Sequence, residues 1–140
     1  MMIVVSACLA GLKCRYDGME YSCVEVKKLV ALGKAIPVCP ELLGGLPVPR
    51  APAEICNDRV MTADGNDVTV PFLEGAAIAL KIALAVGCRS AILKARSPSC
   101  GSGRIYDGSF SGRVFQGDGI FAKMLKDAGI IVQTDEEVIS

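Results

Sequence analysis

A chain of 140 residues suits one domain with a sizeable core. Fifteen basic residues balance fifteen acidic ones, so there is no overall positive field for a polyanion, and strong nucleic-acid binding is not expected. Seven cysteines and no histidine leave any acid–base step to Asp, Glu, Lys, Tyr, Cys or water, and any metal site to sulfur and oxygen ligands.

Ile3-Val4-Val5-Ser6-Ala7 is a β-branched apolar run and reads as a buried strand ending at Cys8. Ser22-Cys23-Val24-Glu25 has the form of a capping box, which predicts a helix after Ser22, with Gly33 closing it. Ala35-Ile36-Pro37-Val38 predicts a second strand followed by Cys39-Pro40-Glu41, although Pro37 is awkward in a central strand. Residues 42–57 read as irregular, and Arg59–Thr62 with 67–69 as a small hairpin outside the main sheet. Pro71 suits a first helical position, and 72–86 predicts a long helix, apolar nearly all round and so expected deep between layers. Residues 90–94 predict a third strand, and 101–117 a long Gly-rich loop, a type that is often functional. Asp118 is expected to cap a helix over 120–128, followed by a fourth strand at 130–132 and a short helix from Thr134.

This order predicts an α/β fold, a small Rossmann-like parallel sheet of about four strands with helices on both faces and a hairpin insertion after strand 2, spanning 1–140 as a single domain. The most apolar stretch, 76–86, contains Lys81 and is too short for a bilayer. The N-terminus lacks a basic n-region. With an odd number of cysteines, a reducing cytoplasmic location without a membrane segment is expected, as a monomer or small homo-oligomer.

Ligands of parallel sheets bind beyond the carboxyl ends of the strands. Cys8, Cys39 and Cys100 each follow one of the first three strands, so three thiols from remote positions are predicted at one edge. Lys94, Arg96 and Arg104 near Cys100 would by themselves suggest an activated thiolate. Convergence with Cys8 and Cys39 points instead to a soft metal centre, zinc or an iron–sulfur cluster. Cys14 is read as loop support, with a fourth ligand or a resolving thiol as alternatives; Cys23, Cys56 and Cys88 are read as packing residues. A phosphatase-type Cys-x5-Arg loop does not fit, because Arg15 comes one position late after Cys8.

Taken together, Ser6-Ala7-Cys8-Leu9, Cys14-Arg15-Tyr16-Asp17-Gly18, Cys39-Pro40-Glu41, Gly44-Gly45-Leu46, Pro49-Arg50, Leu93-Lys94 and Ser97-Pro98-Ser99-Cys100-Gly101 resemble the DUF523 family of thiouracil desulfidases, in its short form. The resemblance implies a [4Fe–4S] cluster held by Cys8, Cys39 and Cys100 with one open iron. It implies hydrolytic, non-redox replacement of the sulfur of a thiolated pyrimidine, free or as nucleoside or nucleotide, releasing sulfide. On that reading Glu41 and Ser97 are the catalytic candidates, and Ser99, Arg15, Arg50 and Arg104 the substrate-binding ones. The competing expectations are a non-catalytic cluster or sulfur-carrier module and a redox enzyme using Cys8 with Cys14.

Overall fold

The computed structural model describes residues 2–138. Its main sheet is parallel, with β1 (Ile3–Ser6), β2 (Ala35–Val38), β5 (Ser90–Leu93) and β8 (Ile131–Thr134) in the order β2-β1-β5-β8. The order reverses direction between β1 and β5, which is where open α/β sheets place their ligands. Pro37 fits because β2 is an edge strand, with a neighbour on one side only, so its missing N–H breaks no ladder.

Strand residues alternate between two cores. Val4, Val38, Ala91 and Leu93 face one layer, made by α3 (Thr69–Val86) and α4 (Ile120–Asp127) with Ala76, Ala79, Ala83, Phe121 and Leu125. Val5 and Ile92 face the other, with Val26 of α1 (Val24–Ala31) and, at its margin, Val138 of α5 (Asp135–Val138). Helices therefore cover both faces.

Several boundaries differ from the sequence expectation for local reasons. The first helix has Cys23, not Ser22, at its N-cap, because Ser22 is bridged to Ala10. Residues 42–57 are not wholly irregular: α2 (Pro40–Leu43) precedes β3 (Ala53–Cys56), which pairs antiparallel with β4 (Arg59–Thr62) across Asn57-Asp58. Residues 67–69 form no strand: Asp67 bridges Met61, Val68 N donates to the Val60 oxygen at 2.8 Å, and Thr69 already opens α3. The Gly-rich loop folds into a second hairpin, β6 (Arg104–Tyr106) with β7 (Val114–Gln116). Asp118 does not cap α4; it accepts from the Gly103 N–H and the Lys126 Nζ.

The long helix α3 is not enclosed all round. Val70, Leu73, Ile78 and Leu84 are exposed on its outer side, while its inner side packs on α2 and α4. By length and mean hydropathy it is the one helix among the described residues that could cross a bilayer, but that same inner side is a layer of this core. Its contact with α2 is unusually close. A Cβ on Gly75 would lie 1.8 Å from the Pro40 carbonyl oxygen, and one on Gly44 would lie 2.1 Å from the Pro71 oxygen. Both are shorter than any non-bonded contact, so only glycine lets α2 rest there.

Gly75→Ala is accordingly expected to force the two helices apart at a cost of about 1–3 kcal/mol, which lowers Tm by roughly 3–12 °C. Leu73→Ala on the exposed side should stay within about 0.5 kcal/mol. Equal thermal melts for the two variants would show that the close approach does not constrain the fold.

Candidate active site

Beyond the carboxyl ends of β2, β1 and β5 lies a cavity of about 580 Å³. Cys8, Cys14, Cys39 and Cys100 all line it, as do Glu41, Ser97 and Ser99. Cys8 sits in a 3-10 turn at Ala7–Leu9 immediately after β1, and Cys39 directly follows β2 and opens α2. Cys100 is reached by the 94–99 loop after β5.

That loop is braced from below by α4, whose first N–H groups need acceptors outside the helix. Ile120 N donates to the Pro98 oxygen at 2.9 Å, and Phe121 N and Ala122 N to the Ser99 oxygen at 2.8 and 3.1 Å. From above, the Ser97 Oγ accepts from the N–H groups of Ser99 and Cys100 at 3.1 and 3.0 Å. From the side, Lys94 N donates to Ser6 Oγ at 2.9 Å, and Ala95 N to the fully buried Asp135 at 2.8 Å. Asp135 also accepts from the Tyr21 hydroxyl at 3.1 Å. Sequence reasoning gave neither Ser6 nor Asp135 a part here; both lie at strand ends, which was the available signal.

Glu41 joins three segments. Its Oε1 receives Arg50 Nε at 3.1 Å and Nη2 at 3.0 Å, and its Oε2 receives the Ser99 hydroxyl at 3.0 Å. Arg50, expected to bind substrate, lines the cavity, and its remaining donors reach the Pro47 and Cys14 carbonyls at 3.0 and 2.9 Å. It is a brace for Glu41 and the Cys14 loop. Ser97 and Ser99 hydroxyls lie 3.1 Å apart. Because Ser99 donates to a carboxylate and Ser97 already accepts from two amides, the consistent proton order runs Ser97 to Ser99 to Glu41. Ser99 is 1% exposed, so it stands behind Ser97 rather than in the open cavity.

Arg15 lines the cavity, with its guanidinium against the Tyr16 and Tyr21 rings. Lys94 and Arg96 line it as well. Arg104 does not: it lines a separate depression with Gly103, Val114, Phe115 and Gln116. Its nearness to Cys100 is along the chain only, since the 101–103 turn carries it onto the exposed side of β6.

All seven cysteines are free thiols. Burial pushes the Cys100 thiol up to about 12. Its hydrogen bond to Cys14, and then burial, raise Cys39 further. Cys14 feels a lowering influence from Cys39 that is outweighed by Cys8 and by burial, which leaves it raised to about 11. Such thiols are protonated at neutral pH and are poor nucleophiles, which argues against Cys14 as an attacking or resolving thiol. Among the described residues no three His, Cys, Asp or Glu side chains are close enough to share one metal ion. A cubane takes each cysteine on a different iron and so requires wider spacing; four soft sulfurs around a cavity with no histidine suit it.

The chain matches the family described as 2-thiouracil desulfurase over residues 3–137, and it belongs to that family. It is 45% identical to the uncharacterized protein YbbK of Bacillus subtilis (strain 168) over 147 residues, covering 98% of this chain and 97% of that one. Among solved structures it is similar to the [4Fe-4S]-dependent thiouracil desulfidase TudS (DUF523Vcz), with a TM-score of 0.92 and 46% identity over 99% of this chain and 93% of that one. The family and the α/β fold expected from the sequence are the ones found.

The raised thiols give a pH dependence with a definite sign. A thiol whose folded-state pKa lies above its ordinary 9.0 contributes fully below that pH and loses its contribution as pH climbs through the folded value. The Tm of the metal-free protein should therefore fall between pH 9 and 11, and a Cys14→Ala, Cys100→Ala double variant should fall less steeply. Parallel slopes for the two proteins would contradict the buried, protonated state of these thiols.

Proposed function

We propose that this chain is a [4Fe–4S]-dependent desulfidase that replaces the thiocarbonyl sulfur of a thiouracil-type base, nucleoside or nucleotide by oxygen from water, releasing hydrogen sulfide without net redox change. The observation that carries the proposal is the convergence of Cys8, Cys39 and Cys100 with the Glu41–Ser99–Ser97 chain on one cavity. Cys8, Cys39 and Cys100 would hold the cluster, and Cys14 would keep its loop in place beside Arg50. Held by three cysteines, such a cluster would supply an open iron for a soft sulfur and so polarisation of a C=S bond.

The remaining chemistry belongs to the chain. The atoms balance as C=S plus water giving C=O plus hydrogen sulfide. Water must lose a proton as it attacks carbon, and sulfur must gain protons as it leaves. Glu41 is the group for the first task. Arg50 holds Oε1 on one side and Ser99 takes a single lone pair of Oε2, so the other lone pair of Oε2 is available to a water in the cavity. The Ser97 hydroxyl, half-buried at the open end of the chain, can hand a proton towards Glu41 or donate to the substrate. Arg15, which lines the cavity and pairs with Asp17, would meet a polar or charged substituent of the pyrimidine. The absence of a membrane partner and the cytoplasmic location belong to the same reading.

Anaerobic reconstitution with iron and sulfide should give a brown protein with about four iron and four labile sulfide per chain. Cys8→Ala, Cys39→Ala and Cys100→Ala should each lose the colour, and Cys14→Ala should keep it. A colourless wild-type protein after reconstitution would end the cluster reading, and loss of colour in Cys14→Ala would reassign the ligands.

The reconstituted wild type should convert thiouracil to uracil and sulfide. Glu41→Gln should keep its iron while kcat drops by about 10²–10⁴-fold. Undiminished turnover in Glu41→Gln would remove Glu41 from the chemistry.

A further inference from the structure

The cavity wall opposite the sheet is built by the two hairpins that interrupt the α/β order. β3 supplies Ala53 and Glu54, and the β6–β7 hairpin supplies Tyr106, Phe110 and Gly112. Glu54 is a carboxylate only 9% exposed, and Oε1 is occupied by two backbone amides, Gly108 N at 3.0 Å and Phe110 N at 3.1 Å. It thus grips both sides of the hairpin tip. The approach is tight: Gly108 has φ +93, and a Cβ there would lie 2.8 Å from the Ile55 oxygen and 2.9 Å from Cys56 Cβ. Phe110 itself is held at φ +57, a left-handed conformation that disfavours a side chain. A bulky aromatic in that conformation, 39% exposed beside a cavity and tied down by a buried acid, is not explained by packing.

The chain has no Trp, three Tyr and four Phe, and of these Tyr16, Tyr106 and Phe110 line the cavity. A planar pyrimidine ring is recognised well by an aromatic face, which gives sequence-tolerant stacking with little ordering cost. We propose that Phe110 is the stacking platform for the substrate ring and that Glu54 is a positioning residue, which fixes that platform through the hairpin backbone. The inference rests on the thiopyrimidine reading given above. It adds a specificity element on the wall opposite the cysteines, so that the C=S group is aimed at the sheet edge by the way the ring is held.

The test uses cluster-loaded protein with 2-thiouracil for turnover and uracil for calorimetric binding. Phe110→Ala and Phe110→Leu should raise KM and weaken uracil binding roughly tenfold, the scale of one base stacked on one ring, with kcat within about threefold. Phe110→Tyr should restore wild-type values. Glu54→Ala should speed hydrogen exchange at Gly108 and Phe110 by roughly tenfold or more and raise KM as Phe110→Ala does. Glu54→Gln, whose amide oxygen still accepts from both N–H groups, should behave as wild type. If Phe110→Ala and Phe110→Leu leave KM and uracil affinity within about twofold, or lower kcat alone, the platform is elsewhere and the inference falls while the desulfidase reading stands. If the wild type neither turns over 2-thiouracil nor binds uracil, the desulfidase reading fails and takes the inference with it.

Discussion

The Glu41 carboxylate is the joint on which the site depends. It lies in α2, yet its two oxygens are taken by Arg50, on the strap that follows, and by Ser99, in the loop after β5. These segments are 9 and 58 residues away along the chain. The Arg50 and Glu41 side chains are only 8% and 16% exposed, so removing either partner would leave the other's charge largely buried without compensation. The same guanidinium reaches the Cys14 carbonyl, so the loop after β1 is tied to the joint as well. All three strand ends that carry the candidate cluster ligands are therefore locked to one ion pair.

That arrangement resolves a conflict built into the composition. A pocket of buried thiols close together resists ionisation, because each thiolate would be desolvated and would repel its neighbours. Cys14, Cys39 and Cys100 accordingly have raised thiol pKa values, and Cys8, Cys14 and Cys100 count among the buried apolar residues. On the proposed reading a bound cluster would reverse the balance, since thiolate is the ligand form and binding would expel the protons. The rigidity of the site comes from outside the thiols: from the strand ladder, from the α4 amides on the 97–100 loop, and from the glycine contact between α2 and α3.

Much of this was legible in the sequence where hydrophobic period and chain order suffice. The four parallel strands, the helices between them and the shared edge of Cys8, Cys39 and Cys100 follow from apolar runs and right-handed connection rules. What was not legible depended on pairing partners. Asn57 and Asp58 both have positive φ and form the tight turn of the β3–β4 hairpin, but prolines at 47, 49 and 52 hid the strand before it. The Gly-rich stretch looked structureless because β6 and β7 are three residues each, too short to show a period of two. Arg50 and Arg104 show what chain order leaves open: Arg50 lines the cavity with its donors on Glu41 and two carbonyls, whereas Arg104 lines a separate depression.

The absence of histidine explains why the polar part of the site takes the form of a relay. A single imidazole can accept and return a proton near neutrality; without one, the polar groups linked at this site are a carboxylate and two hydroxyls. Here the mobile element is the pair of hydroxyls, Ser97 and Ser99, whose protons can reorient without any change of charge. Ser97 is pinned by two amides, so it offers one proton in one direction at a time. On the proposed reading Glu41 takes the proton of the attacking water, and Ser97, at the open end of the same chain, would donate to the departing sulfur. The turn that carries Cys100 also carries Ser97 and Ser99, so the proposed acid–base groups and the candidate soft-ligand site share one loop.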